Sequence, residues 1–224
     1  MSGDRPVVSF VLPARNEARF LERTLESIEA LPASPSHETI VVDGDSTDHT
    51  PGIARQFGVR LVSGDGSGRG AGRDLGATAA AGVWLAFIDA DTTVLPGYLE
   101  AMLSFVRGND LAGAASRCRV TGGWRSRVYE LFFNEVLWRL SPPVFPGFHI
   151  FVRRDAYDDV GGFEPGPNED VTFSRRLGRQ YPTGLCSQTL VETSGRRIEE
   201  HGLVGTTLYY TRKEWSRQLS LRLK

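Results

Sequence analysis

Trp84-Leu85-Ala86-Phe87-Ile88-Asp89-Ala90-Asp91 is the stretch on which the fold turns. Its apolar residues run without the three-to-four spacing of an amphipathic helix. They read as a strand buried on both faces, as strands of parallel sheets are. The run passes directly into two carboxylates one residue apart. In open α/β sheets, ligands bind beyond the carboxyl ends of the strands, so one segment predicts both a sheet and a site.

Working outward, the residues before it alternate short apolar runs with helical patterns. Residues 7–12 form a β-rich run ending at Pro13. Asn16 is placed to cap a helix whose apolar positions Phe20, Leu21, Leu25, Ile28 and Leu31 follow the helical period. Residues 39–42 predict a second strand ending in Asp43, and Thr50-Pro51 marks the start of a short helix. Residues 59–63 predict a third strand, followed by the glycine-rich run 64–73 and an alanine-rich helix to about Ala81. This rhythm implies right-handed βαβ units and a mostly parallel sheet. After Asp91 the spacing predicts a helix over 96–106, a strand over 112–120, an aromatic-rich helix over 124–140, a strand over 148–153 and a helix over 168–177 capped by Asn168. The tail 206–224 also has a helical pattern.

Composition limits the classes open to such a chain. The 224 residues are 40% hydrophobic and 24% charged, so a packed core is expected. A formal net charge of −1 argues against nucleic acid as partner. The apolar run 79–88 is too short to span a bilayer, and the polar first six residues lack a signal stretch, so no transmembrane segment is expected. Cys118 and Cys186 stand far apart without metal-ligand spacing and read as reduced core residues of a cytoplasmic protein.

The predicted strand ends gather the residues that could carry chemistry. Asp89 and Asp91 can share a hard divalent cation that also takes phosphate oxygens. An isolated Asp-x-Asp is more often a solvated turn, and Asp43-Gly44-Asp45 is a second copy; position after a buried strand favours the first. Asp43 can accept the imino N–H of uracil or guanine, while Ser46, Thr47 and Asp48 suit helix capping. Residues 64–73 let the backbone approach a ligand and bring two arginines near it, Arg73 falling inside the helical pattern. Glu169 and Asp170 open a helix, where the dipole favours ionised carboxylates. His201 follows two arginines and is either a surface residue or a metal ligand.

Residues 8–17, 41–50, 89–91, the Gly161-Gly162-Phe163 turn and Glu169-Asp170, taken in that order, resemble glycosyltransferase family 2. Gly44-Asp45 reverses the usual order of that family's second-strand motif. The resemblance implies a GT-A type fold, α/β with a Rossmann-like mostly parallel sheet flanked by helices. It implies one domain over 1–224, with the nucleotide-sugar half at about 1–91 and the acceptor half at about 92–224. Pro13, Arg15 and Glu17 would contact the nucleoside and Asp43 the base. Asp89, Ala90 and Arg73 would lie along the diphosphate. Asp91, with Asp89 and His201, would bind Mn²⁺ or Mg²⁺, and Asp170 would be the general base of an inverting transfer from a UDP- or GDP-sugar.

Two other classes stay open. A sugar-phosphate nucleotidylyltransferase shares such a sheet, although it would want an arginine- and lysine-bearing glycine loop after the first strand. A non-catalytic nucleotide-sugar-binding module could dispense with Asp91 and Asp170. For the predicted helix 124–140, one broad arc carries Val128, Tyr129, Phe132, Phe133, Val136 and Leu140, with Arg125, Arg127 and Arg139 beside it. Either this arc covers the sheet, or the helix rests on a membrane surface and serves a lipid-linked acceptor at the inner membrane face.

Overall fold

The computed structural model describes residues 5–136, 139, 142–164, 166, 168–196, 198–200 and 202. The first half follows the predicted rhythm. Strand β1 (Val8–Ala14), helix α1 (Ala18–Glu29), strand β2 (His37–Asp43), helix α2 (Thr50–Gln56), strand β3 (Arg60–Ser63), helix α3 (Arg69–Ala79) and strand β4 (Trp84–Ile88) succeed one another. Every residue of β4 is buried. Two glycines of α3 let it lie close on the sheet: a Cβ at Gly76 would run into Val11, and one at Gly72 would come within 3.2 Å of Pro13.

Asn16 does not cap α1. It sits at a left-handed φ of 54°, and its Oδ1 accepts the Thr47 amide at 2.8 Å. The α1 start is served from the next loop instead: Asp48 Oδ2 accepts the Ala18 amide at 3.1 Å, and Thr50 Oγ1 accepts that of Glu17 at 2.8 Å. Asp48 Oδ1 takes the Thr50 amide at 2.9 Å, so one carboxylate supports two helix starts. Burial raises the Asp48 pKa, but the hydrogen bonds from Thr50 and Ala18 outweigh it and hold the carboxyl below its ordinary value.

The second half comprises β5 (Thr92–Val94), α4 (Tyr98–Gly108), β6 (Gly113–Thr121), α5 (Trp124–Leu131), β7 (His149–Arg153), α6 (Arg154–Asp159), α7 (Glu169–Gln180) and β8 (Thr183–Ser194). All eight strands form one sheet in the order β3-β2-β1-β4-β7-β6-β8-β5. The pairings give six of the eight strands one direction, with β7 and β5 reversed. The fold class is therefore the expected one. Clusters of apolar side chains cover both faces, one beneath α1 and α4, the other beneath α3 and α7. Cys118 and Cys186 are both buried and unpaired.

The predicted helix 124–140 is two elements. Regular α5 ends at Leu131 and a single π-helical turn, Phe132–Val136, follows it; Trp138 and Leu140 lie outside the described residues. The cause is β6, which pairs with β7 only at Gly113 and Ala114 and then presents a bare edge. The helical segment covers that edge. Asn134 Nδ2 donates to the Cys118 carbonyl at 2.7 Å, Asn134 Oδ1 accepts the Cys118 amide at 3.0 Å, and Glu130 accepts the Val120 amide at 2.8 Å. Polar side chains thus satisfy an unpaired strand, and the wide turn brings Asn134 over it.

Candidate active site

The carboxyl ends of β1, β2, β4 and β8 point to one edge of the sheet. Because β7 is reversed, its start and the Phe148 before it arrive there too, and Phe148 accepts the Asp89 amide at 3.3 Å. The α7 N-terminus adds Glu169 and Asp170. Every described residue named from the sequence as a site candidate lies along this edge or just beneath it. His201 lies outside the described residues.

Arg73 ties the edge together. Its side chain is 1% exposed, and its guanidinium donates to Asp89 Oδ1 at 2.9 Å, Glu169 Oε1 at 2.9 Å and the Gly147 carbonyl at 2.6 Å. Phe163, from the turn before α7, lies 5.2 Å from the charge centre. The expectation that Arg73 lies along a bound diphosphate changes accordingly. These N–H groups are spent on the protein, and Arg73 is the buried strut that joins the β4 end to the α7 start. Leaving it unpaired there would be costly.

Asp170 is half-buried one residue beyond that strut. Its Oδ1 accepts its neighbour Val171's amide at 2.9 Å. The helix start does not dominate its ionisation, contrary to the sequence expectation. Burial pushes its pKa up, with Glu169 and Asp89 adding to the rise, while Arg73 and the Val171 amide oppose it. Gly147 makes room for the carboxylate: a Cβ there would sit 2.7 Å from Asp170 Oδ2 and 3.3 Å from Arg73 Nη2.

Asp91 is in a similar state. Burial first, and the Asp89 charge second, push its carboxyl up to about 6. Arg196 offsets part of this with its Nε 3.1 Å from Asp91 Oδ2. The same guanidinium holds both oxygens of Glu17, one at 2.7 Å, and lies 4.6 Å from the Phe20 ring. Glu17 is therefore engaged inside the protein, beside the expected nucleoside position. Arg196 is the residue that sequence reasoning missed. It follows β8, whose alternation is broken where Ser116/Arg117 and Arg117/Cys118 shift register, so neither strand nor arginine announced itself.

Asp43 ends β2 with Oδ2 3.4 Å from the Ser46 amide, while its Oδ1 is buried and accepts nothing among the described residues. An orphaned carboxylate oxygen at a strand end suits an incoming N–H donor. Arg15 is exposed and lies across the loops at Gly44 and Gly66; Pro13 is half-buried at the end of β1. Ala90 turns its methyl into the core, and its carbonyl accepts the Thr24 hydroxyl at 2.8 Å, so its contribution is to aim Asp89 and Asp91.

Metal chemistry finds a partial fit. Asp89 and Asp91 would offer two hard oxygen ligands, although Arg73, Arg69 and Arg196 already face these carboxylates. Among the described residues no cluster of three metal-ligating side chains occurs, so a hard cation here needs further oxygens from a ligand or water.

Comparison with known proteins gives this edge its context. The chain is 31% identical to glycosyltransferase AglE of Haloferax volcanii over 194 residues, which is 79% of the chain and 62% of AglE. It thus spans less than two thirds of that relative's length. Among solved structures it resembles glucosyl-3-phosphoglycerate synthase from Mycobacterium tuberculosis, in complex with Mn²⁺, uridine diphosphate and glucosyl-3-phosphoglycerate, at 25% identity and a TM-score of 0.67, covering 94% of this chain and 79% of that one. The mannosyltransferase from Pyrobaculum calidifontis, in complex with GDP-mannose and Mn²⁺, shares the fold at 20% identity and a TM-score of 0.65, covering 85% and 56%. Residues 9–161 match the family model described as Glycosyl transferase family 2, more than half of the sequence, and the chain belongs to that family.

Proposed function

We propose that the protein transfers a sugar, with inversion, from a UDP- or GDP-linked donor to an acceptor hydroxyl. One observation carries this reading: Arg73 links Asp89, at the end of β4, to the Glu169-Asp170 pair at the start of α7. Donor-side and base-side carboxylates thereby belong to a single rigid arrangement.

The roles follow from position and charge. The free Oδ1 of Asp43 suits the imino N–H of uracil or guanine, with Arg15 and Pro13 alongside it. Asp89 and Asp91 would hold a divalent cation, Mn²⁺ or Mg²⁺, together with the donor diphosphate. When bound, that cation supplies charge neutralisation for the departing nucleoside diphosphate. Asp170 accepts the acceptor's hydroxyl proton while the acceptor oxygen bonds to the anomeric carbon. The bond from that carbon to the diphosphate breaks in the same displacement, and its electron pair leaves with the phosphate. A raised pKa favours this role, since a carboxylate nearer neutrality is the stronger base.

The test is release of nucleoside diphosphate from panels of UDP- and GDP-sugars. Asp170→Asn is expected to lower turnover by about two orders of magnitude or more, the usual contribution of a general base, with donor affinity nearly unchanged. Loss of donor affinity with turnover preserved at saturation would make Asp170 a binding residue and overturn the assignment.

A further inference from the structure

The segment 124–136 has two opposite faces, and among the described residues only one is used by the fold. Ser126, Tyr129, Glu130, Phe133 and Asn134 turn inward: Phe133 meets Phe148 edge-on at 5.1 Å, and Glu130 and Asn134 bind the β6 edge. The other face carries Trp124, Val128, Leu131, Phe132 and Val136. Trp124 is 67% exposed and Leu131 62%, the largest exposures among the described large apolar residues. Trp124, Val128 and Leu131 follow the i, i+4, i+7 spacing of a single helical stripe. Isolated exposed apolar residues are ordinary, but a continuous stripe of them is not.

Charge identifies what this face would meet. Arg125 and Arg127 flank the stripe and are exposed; among the described residues neither pairs with a carboxylate, and Arg125 lies 5.5 Å from the Trp124 ring. The two glutamates of the segment are turned away, Glu130 onto β6 and Glu135 onto Arg117 at 3.1 Å. The face is thus apolar at its centre and positive at its margins, in a chain whose net charge is −1. The tail beyond residue 202 carries Arg212, Lys213, Arg217, Arg222 and Lys224 against Glu214. Its net charge has the same sign as the margins, but it also carries Leu208, Tyr209, Tyr210, Trp215 and Leu219, so cover of the stripe by this tail is the outcome that absent flotation would report.

We propose that this face docks on an anionic lipid surface, with Trp124, Val128, Leu131 and Phe132 entering the headgroup boundary and Arg125 and Arg127 meeting lipid phosphates. Both ends of the segment are attached to the active edge. Glu199, three residues beyond Arg196, accepts the Gly123 amide at 2.9 Å and the Ser126 hydroxyl at 3.1 Å. At the other end, Phe133 packs on Phe148, which holds the Asp89 amide. The segment that carries the stripe is thus tied through Phe148 to the end of β4 and through Glu199 to the stretch after β8. The acceptor hydroxyl then belongs to an amphiphile anchored in that surface, a statement that rests on the transferase reading; the docking itself does not.

Flotation of the full chain with vesicles tests it directly. Vesicles of mixed phosphatidylcholine and phosphatidylglycerol are expected to carry the protein at low salt, and vesicles of phosphatidylcholine alone are not. Binding should weaken several-fold as salt rises to about 0.5 M, where screening confines the charges to a few Å. Trp124→Glu with Leu131→Glu should abolish flotation while circular dichroism and melting stay unchanged, because both residues are exposed. Arg125→Gln with Arg127→Gln should reduce it and flatten its salt dependence. Absence of flotation at low salt, or flotation that both double variants retain, overturns the proposal. Nucleoside diphosphate binding, measured separately on the same variants, distinguishes this failure from failure of the transferase reading.

Discussion

At Arg73 one side chain of α3 is asked to satisfy groups from the β4 end, β7's approach and α7, and its burial makes the demand strict. The composition of the surrounding site follows. Asp89 and Glu169 must be acidic to neutralise it, and position 147 must lack a side chain to let Asp170 approach. Gly147→Ala isolates the last requirement. A methyl 2.7 Å from Asp170 Oδ2 has to displace the carboxylate or the strut. Turnover should fall by about a hundredfold, the scale associated with a displacement near 1 Å. Nucleoside diphosphate affinity should hold, since Asp43 and Asp91 are untouched. Turnover within twofold of wild type would show that the carboxylate has slack that the packing does not suggest.

Helices and strands differ in how far their sequences disclosed them. β4 was legible to the residue, because a run buried on both faces is apolar throughout. α3 was legible as an alanine-rich helix, but the reason for its glycines was not, since it lies in the strands beneath. Gly76→Ala should be destabilising by about 1–3 kcal/mol despite better helix propensity, because the new methyl overpacks against Val11 and Val42. Gly108→Ala, with open space at the end of α4, should be neutral or stabilising. Urea midpoints at unchanged slope would check the pair, and equal effects at both sites would refute the packing argument. β8 and β5 escaped notice because a bulged strand breaks its alternation and a three-residue strand has none. The predicted 124–140 arc mixed inward and outward residues because it took in adjacent positions, Val128 with Tyr129 and Phe132 with Phe133, that lie about 100° apart around a helix. A narrower arc separates them: Phe132 follows exposed Val128 by four residues, and Phe133 follows inward Tyr129 by four.

For the whole molecule, the acidic site and the core make opposite demands on pH. His149 is fully buried in the sheet; its Nδ1 accepts the Ser116 amide at 3.1 Å, and its Nε2 is 2.9 Å from the Tyr98 hydroxyl. That pairing fits the neutral ring with its proton on Nε2. Burial lowers its pKa from 6.5 to about 3. The unfolded chain binds this proton first, so the stability due to neutral His149 is complete above about pH 6.5 and is lost as pH falls toward about 3. Asp91, raised to about 6, acts with the opposite sign: its destabilising charge is relieved as pH falls through that value. Subtracting a His149→Gln variant separates the two. The wild-type advantage in melting temperature should shrink steadily between about pH 6.5 and 4. A difference independent of pH would mean that His149 is not held neutral. Among the described residues no helix is long and apolar enough to cross a membrane.

In the proposed function the carboxylates at the strand ends form a metal-assisted nucleotide site. Calorimetric titration with UDP and with GDP, in Mn²⁺ and then in excess chelator, addresses it without knowledge of the acceptor. One of the two nucleotides is expected to bind in Mn²⁺, chelator to weaken that binding by about tenfold or more, and Asp91→Ala to do the same while melting with a similar cooperative transition. Binding of neither nucleotide, or equal affinity in wild type with chelator and in Asp91→Ala with Mn²⁺ to that of wild type with Mn²⁺, would contradict it.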